Sequence, residues 1–334
     1  MQRLDLGDER WTAFVGSHPQ AIPFHHPEWG RLLADCYGFD AFALAVAGES
    51  GDLVAGVPVI ETRSPLGRRR WISLAFSDFC PPLGDGELGG LLDEERRRAG
   101  IAALEIRDEL PGHEGREVAV LHTLALDASP DELFTRFHKS QVQRNVRRAE
   151  KEGVQVRRSS SKQDLVDVFY DLHLRTRRRQ GVPVQPRRFF RLVWERMIEP
   201  GRGFVSIAEF DGTPVAGAVF LRWGSAATYK FGASEPEFLR LRPNHLIFWD
   251  AIRAFAEDGV TTLDFGRTNL ENRGLREFKS GWGAVETPLV YTILGEGVPE
   301  FGAGRARKAL GAVIRRSPPS VCRFLGERLY KYAA

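Results

Sequence analysis

The chain repeats itself, and the repeat constrains its fold more than any other feature. Leu53-Val-Ala-Gly-Val-Pro-Val59 resembles Pro214-Val-Ala-Gly-Ala-Val-Phe220, with the Val-Ala-Gly triplets beginning at Val54 and Val215, 161 residues apart. Each triplet follows an apolar run, Ala41–Ala47 or Phe204–Phe210, and a turn signal, Glu49-Ser-Gly-Asp52 or Asp211-Gly-Thr213. That order is a hairpin signature. Downstream, Arg98-Ala-Gly-Ile-Ala-Ala-Leu-Glu105 resembles Glu257-Asp-Gly-Val-Thr-Thr-Leu-Asp264, with Gly100 and Gly259 separated by 159 residues. In both places a helical stretch stops at glycine and a short apolar strand follows. The unit reads helix, hairpin, third strand, helix, strand, and it occurs twice. Four features in one order at one lag predict two copies of one α+β fold.

Between the copies, Pro130–Ala149 reads as a helix, with Ser129 as N-cap, Pro130 at its first position and Leu133, Phe134 and Phe137 on one face. It runs into a basic helix, His138–Val154, stopped by Gly153. Two more helices are predicted over Ser161–Gln180 and Pro186–Glu199. The tail, Gly304–Ala334, reads as an amphipathic basic helix, a Ser317-Pro-Pro319 break and a second helix carrying Phe324, Leu325 and Tyr330. Neither buries much by itself, so both are expected to dock on the rest of the chain. The expected division is 1–135, 136–300 and a basic tail, 301–334.

Composition narrows the function classes. Of 334 residues, 43% are hydrophobic and 27% charged, the profile of a globular protein. No apolar stretch approaches a bilayer span and the first ten residues hold no signal-like apolar core. Cys36, Cys80 and Cys322 are an odd set at wide spacing, which fits a reducing compartment and gives neither a disulfide framework nor a zinc site. A cytoplasmic location is expected. Charge is unevenly spread: residues 1–135 hold 12 basic and 23 acidic groups, and residues 136–334 hold 35 and 21. Phe301–Ala334 has eight basic residues and one acid, and Arg175–Arg191 has seven arginines and no acid. Such clusters attract polyanions, although a solvated surface in an arginine-rich chain explains any one of them.

Several motifs of the second copy resemble the FemABX family. They are Thr228-Tyr-Lys-Phe-Gly-Ala-Ser234, Arg242-Pro-Asn-His-Leu-Ile-Phe-Trp-Asp-Ala-Ile252, Leu263-Asp-Phe-Gly-Arg267 and Gly274-Leu-Arg-Glu-Phe-Lys-Ser-Gly-Trp-Gly283, preceded by the basic 138–154 helix. The resemblance covers roughly residues 130–295 well and the first copy in outline. It implies two tandem acetyltransferase-like (GNAT) domains, an α/β fold of the α+β type with mixed central sheets flanked by helices. Family members move an amino acid from aminoacyl-tRNA to an amine of a peptidoglycan precursor, and related proteins serve exopolysaccharide and natural-product pathways. The long helical arm of some members has no counterpart here, because no heptad run is long enough.

The resemblance also implies site residues. Lys279, with Phe278 beside it, matches a lysine lining the reaction site, where a cation would oppose the developing oxyanion. Tyr229 matches a position contacting the acceptor, and an ordinary strand aromatic is the other reading. Asp264 ends a strand beside Gly266 and either serves or orients a base, or caps the next turn. Arg179, with Thr176 at the start of the same run, matches an arginine gripping acceptor phosphates. Arg107 and Asp108 end the last strand of the first copy and, with Asn244, are candidates to line the cleft. Arg144, Arg147, Arg148 and Lys151 are the candidate tRNA contacts. The family's N-terminal phosphate-binding lysine has no counterpart, since the matching helix reads Trp29-Gly-Arg-Leu-Leu33.

The leading expectation is therefore an aminoacyltransferase without cofactor or metal, using aminoacyl-tRNA and an amine-bearing cell-wall precursor or small natural product. The alternative is an N-acyltransferase using acyl-CoA or an acyl carrier protein. Against a coenzyme A cradle, Leu239-Arg-Leu-Arg-Pro-Asn-His-Leu246 holds no glycine, and Pro243 removes an amide donor. Gly84-Asp-Gly-Glu-Leu-Gly89 satisfies G-x-G-x-x-G, but Asp85 and Glu87 would repel phosphate, so it reads as a turn. His25-His26 lacks further ligands at useful spacing and reads as a loop before a helix. Cys80 lacks a neighbouring base and reads as a buried structural thiol.

Overall fold

The structure is a computed structural model and describes residues 1–63, 67–84, 86–159, 161–296 and 305–333. The strands are β1 (Gln2–Asp5), β2 (Asp40–Ala47), β3 (Leu53–Arg63), β4 (Arg69–Ile72), β5 (Leu83–Gly84), β6 (Ala103–Ile106), β7 (Gly115–Ala125), β8 (Gln155–Arg158), β9 (Gly203–Phe210), β10 (Thr213–Trp223), β11 (Ala226–Ser234), β12 (Thr262–Asp264) and β13 (Val285–Gly295). The helices are α1 (Glu9–Ser17), α2 (Pro27–Tyr37), α3 (Leu88–Arg98), α4 (Pro130–Arg136), α5 (Arg144–Lys151), α6 (Tyr170–Gln180), α7 (Arg187–Val193), α8 (Pro243–Glu257), α9 (Arg273–Ser280), α10 (Arg305–Arg316) and α11 (Pro319–Leu329).

Apart from β5, which pairs with β3, the strands form one path in the order β1-β2-β3-β4-β6-β13-β7-β12-β11-β10-β9-β8. The repeat is written into it. From either end inward there are three antiparallel pairings, then one parallel pairing, β4 with β6 or β11 with β12, then antiparallel pairings to the middle. The Val-Ala-Gly triplets fall in β3 and β10, and Gly100 and Gly259 both take a left-handed backbone just past α3 and α8. The chain thus has two GNAT-like halves in one mixed sheet flanked by helices.

One feature lies beyond the repeat. The central pair, β13 and β7, is exchanged: β13, from late in the chain, pairs with β6 of the first half, and β7, from the first half, pairs with β12. Each half keeps five strands of its own on the path and accepts a sixth from the other.

The linking region differs from the single continuous helix expected over 130–149. Helix α4 ends at Arg136, Phe137 is extended, and a new helix starts with His138 as its cap, through a π-type turn over Lys139–Gln143. Phe137 is buried and packs edge-on against Trp282, so its side chain turns the backbone inward. The Gln143 amide then donates to the carbonyls of Phe137 (2.8 Å) and Thr135 (3.3 Å), satisfying groups the break leaves unpaired.

The tail helices pack on α6. Gly326 makes this possible, because a Cβ there would lie 1.9 Å from the Val184 carbonyl oxygen. Substituting Gly326→Val should weaken tail docking by about 1–3 kcal/mol. Limited trypsin digestion should then release the tail roughly 5- to 150-fold faster where cleavage tracks the open population. Unchanged protection would show that this approach does not seat the tail.

Candidate functional site

The parallel pair β11–β12 is hydrogen-bonded only from Ala226–Thr228 to Thr262–Asp264, after which the two strands part. At the parting, β11 carries a bulge: Val219 pairs with Phe231 and Phe220 with Tyr229, leaving Lys230 as the extra residue. A bulge re-aims a side chain. Lys230 is sent across to the first half, where its ammonium donates to the Phe76 carbonyl at 2.6 Å and sits over the rings of Phe24, Trp29 and Phe231. The receiving loop, 73–79, follows β4 and is bent by left-handed backbone at Leu74 and Phe76. Its Asp78 reaches Gly266 on the other side of the parting: a Cβ on Gly266 would lie 3.3 Å from Asp78 Oδ2, at a residue whose φ is +73°. Glycine is required there both for its backbone and for that approach.

Behind Gly266 sits Lys279, on α9. It is 2% exposed, and its Nζ donates to the carbonyls of Gly266 (2.6 Å) and Arg267 (3.4 Å). Burial pushes its pKa down to about 8, opposed by the nearby Asp264 and Asp78 charges. Asp264 is pushed the other way, up to about 6, chiefly by burial. Asp78 adds to the rise, whereas the Gly266 N–H, held by its Oδ1 at 2.8 Å, and the two lysines counter it. Burial also lowers Lys230, partly offset by Asp78. Two carboxylates and two ammoniums, drawn from both halves, therefore share one poorly hydrated junction.

A cavity of about 270 Å³ opens beside this cluster. Phe76, Asp78, Arg107, Arg177, Lys230 and Arg267 line it, together with aromatic rings from Tyr37, Phe189, Phe231, Tyr291 and Tyr330. Tyr291 on the exchanged strand β13 donates from its hydroxyl to the Asp78 carbonyl at 2.7 Å. Arg107 pairs with Glu105 (3.0 Å) and also donates to the Ser77 carbonyl. The hydrogen bonds from Arg177, Arg267 and Lys230 go to backbone carbonyls. With four cations against Asp78, the lining favours an anionic ligand.

The other sequence candidates are spread around this junction. Phe278 packs on His245, Phe248 and Trp282 in the core of the second half. Tyr229 is a core ring between Phe220 and Phe248, its hydroxyl pushed up to about 12 by burial. Thr176 is buried and exchanges hydrogen bonds with the Ser234 backbone. Arg179 is exposed and donates to the Ser234 carbonyl at 3.0 Å, while Arg177, two residues earlier, faces the cavity. Asp108 is raised to about 6 by burial and lies outside the cavity lining, as does the half-buried Asn244. Arg144, Arg147, Arg148 and Lys151 form the exposed side of α5, whose Val146 and Ala149 are buried.

Sequence reasoning passed over Asp78, Lys230, Arg177, Arg267 and Tyr291. Lys230 left a signal, a lysine between Tyr229 and Phe231 in a strand and one of only seven in the chain. Asp78 left none, since its place depends on the loop's path.

The remaining motifs resolve structurally. His26 caps α2, accepting the Glu28 N–H, and His25 is buried against the Pro81 carbonyl with its pKa lowered to about 4 by burial. Cys80 is fully buried and its thiol is pushed well up. Asp85, the second residue of the glycine-rich match, lies outside the described residues. At the start of α8, Pro243 supplies no amide and the His245 N–H is donated to Arg242. No group of three or more His, Cys, Asp or Glu among the described residues is placed to hold a metal ion. Among the described residues no helix is long and apolar enough to cross a membrane.

The linkage of Lys279 gives a test of its burial. Its folded pKa lies below its unfolded value, so the cost of burying the ammonium is fully present below pH 8 and is relieved as pH rises toward 10.5. Urea unfolding of the native chain should therefore show this group adding stability between about pH 8 and pH 10. Lys279→Met should flatten that rise by roughly 1–3 kcal/mol; identical pH slopes would place the ammonium in water.

Comparisons with known proteins agree with this architecture. Residues 136–280 match the acetyltransferase (GNAT) domain family. Lipid II:glycine glycyltransferase of Staphylococcus aureus is 35% identical over 97 residues, 27% of this chain and 21% of that protein, so the match spans about a fifth of the relative's length. The crystal structure of FemX superposes with a TM-score of 0.73 at 19% identity, covering 95% of this chain and 100% of that one. A tandem GNAT protein from the clavulanic acid biosynthesis pathway gives 0.52 at 14% identity, covering 90% and 99%. In fold the chain resembles FemX, a pair of GNAT-like halves joined in one sheet.

Proposed function

We propose that the chain is an aminoacyltransferase that moves an amino acid from aminoacyl-tRNA to an amine of a cell-wall precursor or small natural product. The observation that carries this reading is the half-buried Asp264 and the buried Lys279, each influencing the other's charge, next to a cation-lined cavity whose lining they do not themselves join. Transfer from an activated ester needs an amine freed of its proton, a carbonyl held beside it and a positive group facing the developing oxyanion. Asp264, its pKa raised to about 6, is mostly ionised at neutral pH and suited to accept a proton. Lys279, lowered to about 8, is mostly charged there and supplies the cation. The amine nitrogen bonds to the carbonyl carbon, the ester C–O bond breaks, and the proton held by Asp264 passes to the departing ribose oxygen.

Two features support tRNA as donor over a thioester. The exposed face of α5 presents Arg144, Arg147, Arg148 and Lys151 to a phosphate backbone. The start of α8, where a pyrophosphate would sit in an acetyltransferase-like half, has Pro243 at its first position and no capping side chain. For the acceptor, Arg177, Arg267 and Lys230 suit phosphate or carboxylate groups. The glycyltransferase relative acts, by its name, on lipid II, and a precursor of that kind fits an anion-binding cavity.

The test is label transfer from a pool of charged tRNA to a precursor extract, with an RNase-treated control. RNase-sensitive transfer is expected, reduced about 10²- to 10³-fold in Lys279→Met. Its rate should rise through about pH 6 and fall above about pH 8, as Asp264 ionises and Lys279 loses its proton. Transfer from an acyl thioester with none from charged tRNA would overturn the reading in favour of the acyl-CoA or carrier-protein alternative.

A further inference from the structure

The tail carries a surface that transfer chemistry does not use. Val313, Phe324, Leu329 and Tyr332 are 39–56% exposed, four of the ten exposed large hydrophobic residues among those described. Exposed cations lie on the same segment, Arg316, Arg328 and Lys331, while the Arg315 guanidinium turns to the Gln180 carbonyl. Arg328 lies over the Phe324 ring at 5.4 Å, one helical turn away, and Lys331 over the Tyr332 ring at 5.1 Å. Glu327 is the one acid from 301 to the end. Ile314, Cys322 and Gly326 of the same helices are buried; on α11, Phe324 and Arg328 point away from Cys322 and Gly326, and Leu329 flanks Cys322 at the helix end.

We infer that this face is a docking surface for an anionic lipid bilayer. Apolar and aromatic side chains interleaved with Lys and Arg match the boundary between headgroups and acyl chains, where rings insert and cations meet lipid phosphates. The α5 face makes the contrast. It carries four cations with Glu150 and Glu152 among them, yet Val146 and Ala149 are buried, so it offers charge without apolar surface, as suits a nucleic-acid backbone. The tail's exposed apolar residues would gain nothing there.

The position of the surface gives it a use. Tyr330 lines the cavity and packs on Tyr37 and Phe76, while Lys331 and Tyr332 next to it are exposed. A bilayer against the tail would therefore lie beside the cavity wall, where a lipid-linked acceptor would present its headgroup. This last step rests on the reading of the cavity as an acceptor site; the docking itself does not.

The experiment is flotation of the full-length protein with phosphatidylcholine vesicles, with and without phosphatidylglycerol. Binding is expected only to the anionic vesicles. Phe324→Ser with Leu329→Ser should weaken it by about tenfold or more. Arg328→Gln with Lys331→Gln should weaken it by about 30-fold at low salt. All four side chains are exposed, and each pair is checked for an unchanged thermal midpoint. The proposal is overturned if the native protein floats with neither vesicle or equally with both, or if both pairs bind like the native chain. It is also overturned if the pairs lose tRNA binding or change the oligomeric mass while flotation persists, which would assign the face to RNA or to a second copy. Flotation without label transfer from tRNA would leave the docking standing and remove the proposed function alone.

Discussion

The exchange of β7 and β13 is the constraint on which the rest of the molecule depends. β13 pairs with β7 over Val285–Thr292 and with β6 over Thr292–Gly295, so it ties the two halves through two runs of backbone hydrogen bonds. Two units joined only by a linker and surface contacts would be free to move relative to one another. Here the loop after β4 of one half is held against the parting of β11 and β12 in the other, and Tyr291 on the exchanged strand fastens that loop at Asp78. The candidate site is a product of this joining. Asp78 and Arg107 come from the first half, Asp264, Arg267, Lys230 and Lys279 from the second.

Such a junction is expensive to build. Lys279 loses its water shell and receives two backbone carbonyls in return, and Lys230 receives one carbonyl and three aromatic faces. Neither arrangement replaces hydration fully, and buried charges of this kind seldom add stability. Groups held at such a cost, with pKa values displaced toward neutrality, are what proton transfer and charge stabilisation require. The same low-dielectric surroundings that penalise the ammonium also strengthen its pull on an oxyanion placed nearby. The left-handed backbone of Leu74 and Phe76, neither of them glycine, adds local strain to the loop that carries Asp78 to this junction.

Much of this was legible in the sequence because the repeat is a local pattern carried twice. The hairpins at Val54 and Val215 and the helix–glycine–strand units at Gly100 and Gly259 depend on residues close together in the chain, and they fold where they were expected. The exchange was not legible. β7 and β13 have the same length and similar burial, exposed at the first residues and buried toward the end, and nothing local says which half each will join. The break at Phe137 was hidden for a related reason: the helical pattern runs on, and burial against Trp282 overrides it. Lys279 and Asp264 stood out through their motifs, whereas Asp78 is an unremarked acid in a loop until the fold carries it to Gly266.

The claim that one site is assembled from both halves is tested most directly by a double-mutant cycle between Asp78→Asn and Lys279→Met, read as kcat/KM for label transfer. Groups acting as one unit give strongly non-additive losses, so the double variant should be little worse than the more damaged single variant. Losses that simply multiply would mean that Asp78 and Lys279 act independently, and the junction between the halves would then be a structural seam and not the place where the chemistry occurs.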